Sequence, residues 1–220
     1  MTNNTKKIAV IAGSTGLIGG HLLQQLLNNP LYDKIYVPGR KAPKLTDSKI
    51  VFELCNFSEF KNLPKNGSID LFCSLGTTIK KAGSQDQFRE VDFDAVVNFA
   101  RWGASISCNH FVVVSSIGAN PKSRNFYLRT KGQMEQVLKA IGLNNLTIVR
   151  PSLLMGRRED FRFGEKVGEW LMKPLSFLLI GKAKKYRPIE GAQVAKGMIK
   201  LAQNKIGDTF VVEGEILKQL

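Results

Sequence analysis

The chain has little of what a disulfide-bonded, membrane-spanning or metal-holding fold requires. Its three cysteines, Cys55, Cys73 and Cys108, are odd in number and lack paired spacing, which argues against both a disulfide framework and a thiolate zinc site. No apolar run approaches the roughly 20 residues needed to cross a bilayer, so an integral membrane protein is not expected. The apolar stretch Ile8–Ala12 is too short for a signal-peptide core before glycines interrupt it, and it reads better as a first β-strand. Helix-turn-helix, zinc and aromatic-stacking patterns are absent, as are internal repeats and low-complexity linkers, leaving no specific nucleic-acid motif. A reducing cytoplasm is the simplest expectation from these absences.

What is present fits one globular domain. At 220 residues and 24.4 kDa the chain has room for a full hydrophobic core but not for a second domain. A hydrophobic content of 43% and a mean hydropathy of -0.10 belong to a soluble protein. Thirty-two Lys and Arg against eighteen Asp and Glu give a net charge of +14, which attracts polyanions at low salt. Without a recognition motif, a generally basic surface is preferred over a dedicated polyanion site.

Strand-like and helix-like patterns alternate. Lys7–Ala12 is β-branched and apolar, and residues 17–27 then repeat apolar positions at helical spacing before Asn28-Asn29-Pro30 stops them. Further strands are expected at 34–37, 50–54, 69–75, 111–115, 146–149 and 209–212, with helices over 86–105, 127–141 and 192–203. This order predicts an α/β fold, a Rossmann-type doubly wound parallel sheet, as a single domain over 1–220 with a small substrate region at 152–189.

The segment Gly13-Ser14-Thr15-Gly16-Leu17-Ile18-Gly19 follows the first strand and opens the first helix. Missing side chains at 13, 16 and 19 allow a sharp turn, while backbone N–H groups and the helix dipole face a pyrophosphate. After the second strand, where an NAD-binding sheet usually carries a carboxylate for the ribose hydroxyls, the chain has Gly39-Arg40-Lys41. Guanidinium and ammonium groups suit a 2′-phosphate, so the expected cofactor is NADP(H), with Arg40 and Lys41 as contacts.

Tyr127 and Lys131 stand four residues apart, on one face of a helix, and Ser115-Ser116 ends the strand before them. A phenol has an ordinary pKa of about 10, so it needs a nearby cation to act as an acid–base group at neutral pH. Lys131 is spaced to supply that charge, and a serine hydroxyl is placed to hold a substrate oxygen beside the phenol. The chemistry implied is reduction of a carbonyl or oxidation of an alcohol.

These features resemble the atypical short-chain dehydrogenases/reductases, with NmrA-like and epimerase-like relatives. Leu75-Gly76-Thr77-Thr78 with Lys81-Ala82-Gly83, Ser115-Ser116-x-Gly118-Ala119, and Arg150-Pro151 followed by Gly168-Glu169-Trp170-Leu171 resemble the Tat-interacting protein branch. The resemblance implies a triad of Ser116, Tyr127 and Lys131, with Ser115 as the alternative serine. It also implies Leu75, Gly76 and Thr77 beneath the adenine-side ribose, and Pro151 and Leu153 in the segment that meets the nicotinamide carboxamide. Asn56 stands where such proteins often have an aspartate for the adenine amino group, and its amide oxygen offers the same acceptor.

Two functions remain open at this level: an NADPH-dependent oxidoreductase acting on a small carbonyl or alcohol, and a regulatory module whose nucleotide state controls a protein partner. Residues 170–180, with Lys182, Lys184, Lys185 and Arg187 after them, read as a lid or dimer face, with an interfacial membrane helix as the weaker alternative. The sequence specifies neither a substrate nor an oligomeric state.

Overall fold

The computed structural model describes residues 6–155, 187–204 and 209–220. Its strands are β1 (Lys7–Ala12), β2 (Tyr32–Gly39), β3 (Ile50–Leu54), β4 (Ile69–Cys73), β5 (His110–Val114), β6 (Leu146–Arg150), β7 (Leu154–Met155), β8 (Ile189–Glu190) and β9 (Thr209–Glu213). Seven of them form a sheet in the order β3-β2-β1-β4-β5-β6-β9, and every pair in it is parallel. β7 and β8 form a separate short parallel pair. The strand order reverses between β1 and β4, which opens a crevice at their carboxyl ends where such sheets bind ligands.

Alternation along the strands builds two cores. Ala9 and Ile11 of β1 face the helices α1 (Leu17–Leu27) and α6 (Gly191–Gln203). Val10 and Ala12 face α4 (Ala95–Ser105) and α5 (Phe126–Ala140). The product is a three-layer α/β/α domain, because strands buried on both faces must be covered on both. Short helices α2 (Ile79–Ala82) and α3 (Gln85–Arg89) lie between β4 and α4, and α7 (Gly214–Gln219) closes the chain.

The expected elements are present with ends shifted by a few residues, except over 86–105. That stretch is not one uniform α-helix: five residues, Glu90–Asp94, take π geometry between α3 and α4. The π turn places Asp92 inward, at 1% exposure. Most of the expected substrate region, including the basic apolar segment over 170–180, lies outside the described residues.

At the opposite, amino edge of the sheet a buried polar layer forms. The Tyr32 hydroxyl and Lys7 Nζ both donate to Asp70 Oδ2, at 2.7 and 2.9 Å, and His110 Nε2 lies 2.8 Å from Thr147 Oγ1.

Candidate functional site

Each glycine of the first turn has a different constraint. Gly13 has φ +87°, and a Cβ there would lie 2.8 Å from the Ser74 carbonyl, so a side chain is blocked by conformation and by contact. A Cβ on Gly19 would come within 2.0 Å of the Gly13 oxygen, so this glycine lets α1 pack against the turn. At Gly16 a Cβ would meet only the Gly13 oxygen, at 3.3 Å. Gly16 is therefore bare toward the crevice, not toward the protein. It is the N-cap of α1 and makes no side-chain capping bond, which leaves amide donors of the first turn directed outward, as an anion site requires. Ser14, Ile18 and Gly19 are buried, Leu17 is half-buried, and Thr15 and Gly16 are exposed.

Arg40 and Asn56 line one open pocket of about 410 Å³ at the carboxyl ends of β2 and β3. Lys41 is exposed beside it. Sequence order shows no carboxylate after β2, but the fold brings Glu53 of β3 and Glu59 into the same pocket. Glu53 is engaged by the Asn62 side-chain amide. The Asn56 oxygen accepts from the Ser58 amide at 3.1 Å and the Ser58 hydroxyl at 2.7 Å, so the acceptor expected for adenine already serves a local turn.

Across the switch point, Leu75, Gly76 and Thr77 leave β4 beside the glycine turn. The Thr77 N–H donates to Asp92 Oδ2 at 2.7 Å, and Asp92 Oδ1 lies 2.8 Å from Lys131 Nζ. Asp92 and Lys131 are 1% and 3% exposed. Burial opposes the charge on Lys131, but the Asp92 carboxylate, then Tyr127 and Cys73, outweigh it and hold the ammonium pKa above its ordinary value. Tyr127 is half-buried one turn earlier on α5, its ring 5.9 Å from that of Phe88.

The two serines separate. Ser115 is buried, and its hydroxyl donates to Glu135 Oε1 at 2.5 Å. Arg150 Nε and Nη2 donate to the two oxygens of the same carboxylate at 2.9 and 2.5 Å. Ser115 thus belongs to a clamp between β5, α5 and β6. Ser116 is half-buried, and among the described residues its hydroxyl makes only a 3.2 Å bond to the adjacent Ile117 carbonyl. The Ile117 N–H donates to the Pro151 oxygen at 3.1 Å, which joins the serine loop to the start of the nicotinamide-side segment. Leu153, further along that segment, is 40% exposed.

Nothing in the sequence marks Asp92, Glu135 or Glu53 as part of a site. Acidic residues in amphipathic helices usually face solvent, and only the π turn and the helix-to-strand packing turn the first two inward. Among the described residues no cluster of ligating side chains suits a metal ion, and no helix is long and apolar enough to cross a membrane.

The HIM1 family model matches residues 31–176. The mitochondrial protein FMP52 of Candida glabrata is 35% identical over 161 residues, spanning 73% of this chain and 69% of that protein. FMP52-1 of Scheffersomyces stipitis, also named mitochondrial, is 32% identical over 93% of both chains. HTATIP2 of Rattus norvegicus is 33% identical, over 76% of this chain and 69% of its own length. Among solved structures, MoeE5 in complex with UDP-glucose and NAD aligns at a TM-score of 0.66 and 13% identity, covering 95% of this chain and 79% of that one. WbmH of Bordetella bronchiseptica in complex with NAD+ aligns at 0.68 and 14%, covering 94% and 75%. At those identities the likeness establishes the NAD(P)-binding type of fold and no more. The FMP52 names overturn the expected cytoplasmic location. Free, buried cysteines do not tell the cytoplasm from a mitochondrial compartment.

Proposed function

Because the chain belongs to the HIM1 family, an atypical short-chain dehydrogenase/reductase lineage with Tat-interacting protein relatives, we propose that it is an NADPH-dependent oxidoreductase interconverting a carbonyl compound and its alcohol. The observation that carries this reading is the buried Lys131, one helical turn from Tyr127 and paired with Asp92, which also holds the loop that leaves β4 next to the glycine turn. The crevice fits a nicotinamide dinucleotide. The bare position at Gly16 and the outward amides of α1 suit its pyrophosphate, and the pocket at Arg40 and Asn56 suits its adenosine end. A bound NADPH would supply a hydride.

Arg40, with Lys41 beside it, meets the 2′-phosphate, and the Leu75–Thr77 loop lies under the ribose of that half. Pro151 and Leu153 border the nicotinamide end. Ser116 holds the substrate oxygen, Tyr127 donates the proton to it in the reductive direction, and Lys131 orients the phenol and the nearby ribose. Ser115, tied to Glu135, supports this loop from beneath. Loss of NADPH absorbance across a panel of aldehydes and ketones tests the activity. Tyr127→Phe should abolish turnover with cofactor affinity kept, whereas Lys131→Ala should weaken both. A wild-type rate in Tyr127→Phe rejects this mechanism.

A regulatory module that binds NADPH and controls a protein partner is the second reading. The engagement of Lys131 with Asp92 supports it, because it holds the ammonium in one place as a ribose ligand whether or not turnover follows. A partner whose affinity changes with NADPH, in the absence of any turnover, would establish it, since the two bindings are reciprocally linked. The names of the FMP52 relatives support a mitochondrial location, which tagged protein and subcellular fractionation can test.

A further inference from the structure

The pocket at the carboxyl ends of β2 and β3 holds charges of both signs: Arg40 and Lys61 line it together with Glu53 and Glu59. Glu59 is engaged by Lys61, whose Nζ lies 2.7 Å from its carboxylate, and both side chains are more than half exposed. Glu53 is placed differently. It is half-buried, and the Asn62 side-chain amide donates to its Oε1, while its Oε2 takes no hydrogen bond or ion pair among the described residues. Arg40 makes no ion pair among the described residues either, although both carboxylates share its pocket. Strand pairing brings the two together. Pro38 of β2 is the partner of Glu53, and the Cys55 N–H donates to the Gly39 oxygen at 3.0 Å, which holds the end of β3 against the residue before Arg40. A pocket built only for a phosphate dianion gains nothing from a carboxylate with an unused oxygen, because like charges at this range repel. A carboxylate oxygen is the acceptor that a ribose hydroxyl requires, as a guanidinium is the donor that a phosphate requires.

We propose that Glu53 is a second specificity-determining residue of the nucleotide site, accepting a hydrogen bond from the adenosine 2′-hydroxyl of NADH where Arg40 serves the 2′-phosphate of NADPH. The proposal rests on the reading of the crevice as a nicotinamide dinucleotide site. The carboxylate that such folds usually carry at the end of β2 is supplied here by the neighbouring strand. The two side chains pull cofactor choice in opposite directions: Glu53 stabilises bound NADH and repels the added charge of NADPH, and Arg40 stabilises bound NADPH. The site therefore takes both dinucleotides, with a narrower preference than Arg40 alone would set.

Calorimetric titration of the full chain with NADPH, NADH and the NADH analogue that lacks the adenosine 2′-hydroxyl tests this. Wild-type protein should bind NADH about tenfold more tightly than the deoxy analogue, as loss of one hydrogen bond to a charged acceptor requires. Glu53→Gln keeps the shape of the side chain and the oxygen that accepts from Asn62. In this variant the ratio of NADPH to NADH affinity should rise by about tenfold, and the advantage of NADH over the deoxy analogue should shrink. Glu59→Gln alters a carboxylate of the same pocket that is exposed and paired with Lys61, so it should leave the ratio within about threefold of wild type. Equal wild-type affinity for NADH and the deoxy analogue overturns the proposal. So does a ratio in Glu53→Gln that is unchanged or moves no further than in Glu59→Gln, which would mark a diffuse field and not a contact. Should Glu53→Gln fail to fold, the wild-type comparison of NADH with the deoxy analogue decides. Wild-type protein that binds none of the three dinucleotides refutes the functional reading and the proposal together, whereas binding without an effect of the 2′-hydroxyl refutes the proposal alone.

Discussion

Glu135→Ala should be among the most damaging single changes available outside the apolar core. The Glu135 side chain is 3% exposed and takes hydrogen bonds from the Ser115 hydroxyl and from two nitrogens of Arg150. Removing one partner of a buried ion pair costs about 3–5 kcal/mol, because the other charge is left without compensation. Arg150 is 21% exposed and keeps weaker contacts at 3.5 Å with Glu213 and the Ala119 carbonyl, which puts the loss near the lower end. For a 220-residue chain, ~3 kcal/mol lowers the thermal midpoint by about 6 °C. Glu213→Gln is the control: Glu213 is 38% exposed and only 3.5 Å from Arg150, so its loss should cost under about 1 kcal/mol. The pair Glu135→Leu with Arg150→Met should recover most of the stability, since apolar groups of similar volume replace a buried pair at little cost. Denaturant unfolding with thermal scans reads all three. A Glu135→Ala loss no larger than that of Glu213→Gln would refute the assignment of the clamp to Glu135.

Three further outcomes are expected. Arg40→Ala should lower the ratio of NADPH to NADH affinity by about tenfold to a hundredfold, as loss of a charge-assisted phosphate contact requires, and an unchanged ratio by calorimetry rejects the contact. Gly16→Val should give folded protein that no longer quenches or shifts NADPH fluorescence, whereas Gly19→Ala should damage folding itself, because its Cβ would lie 2.0 Å from the Gly13 oxygen; equal circular-dichroism melts for the two variants would contradict this division. Acid should destabilise the fold through His110. Burial lowers its pKa, as does Lys7 to a smaller degree, while Asp70 and a backbone contact from Ala202 partly oppose the shift. The unfolded chain therefore binds a proton at about pH 6.5 that the folded chain refuses, so stability is lost as pH falls through that value and below it. His110→Asn should flatten the fall in melting temperature between about pH 7 and about pH 5.5, and an unaltered slope would show that His110 is not the group responsible.

The sequence by itself determined the alternating elements, the parallel sheet, the glycine turn and the shared helix face of Tyr127 and Lys131. All of these follow from local rules: strand alternation, helical period, and the steric freedom of glycine after a strand. Even the boundaries of α1 and β3 were legible, because Asn28-Asn29-Pro30 stops the one and a compact apolar run forms the other. Only the tertiary structure decided which charged groups are inside. Lys131 and Asp92 both have the composition of a solvated helix face, yet a π turn and the packing of α5 against it bury them together. The tie of Ser115 to Glu135, twenty residues along the chain, likewise emerges only in the fold, and Glu53 reaches the Arg40 pocket only because β3 pairs with β2. Periodicity records which face of an element is apolar, but whether a carboxylate on it meets water or a buried cation is set by what another segment brings to that spot.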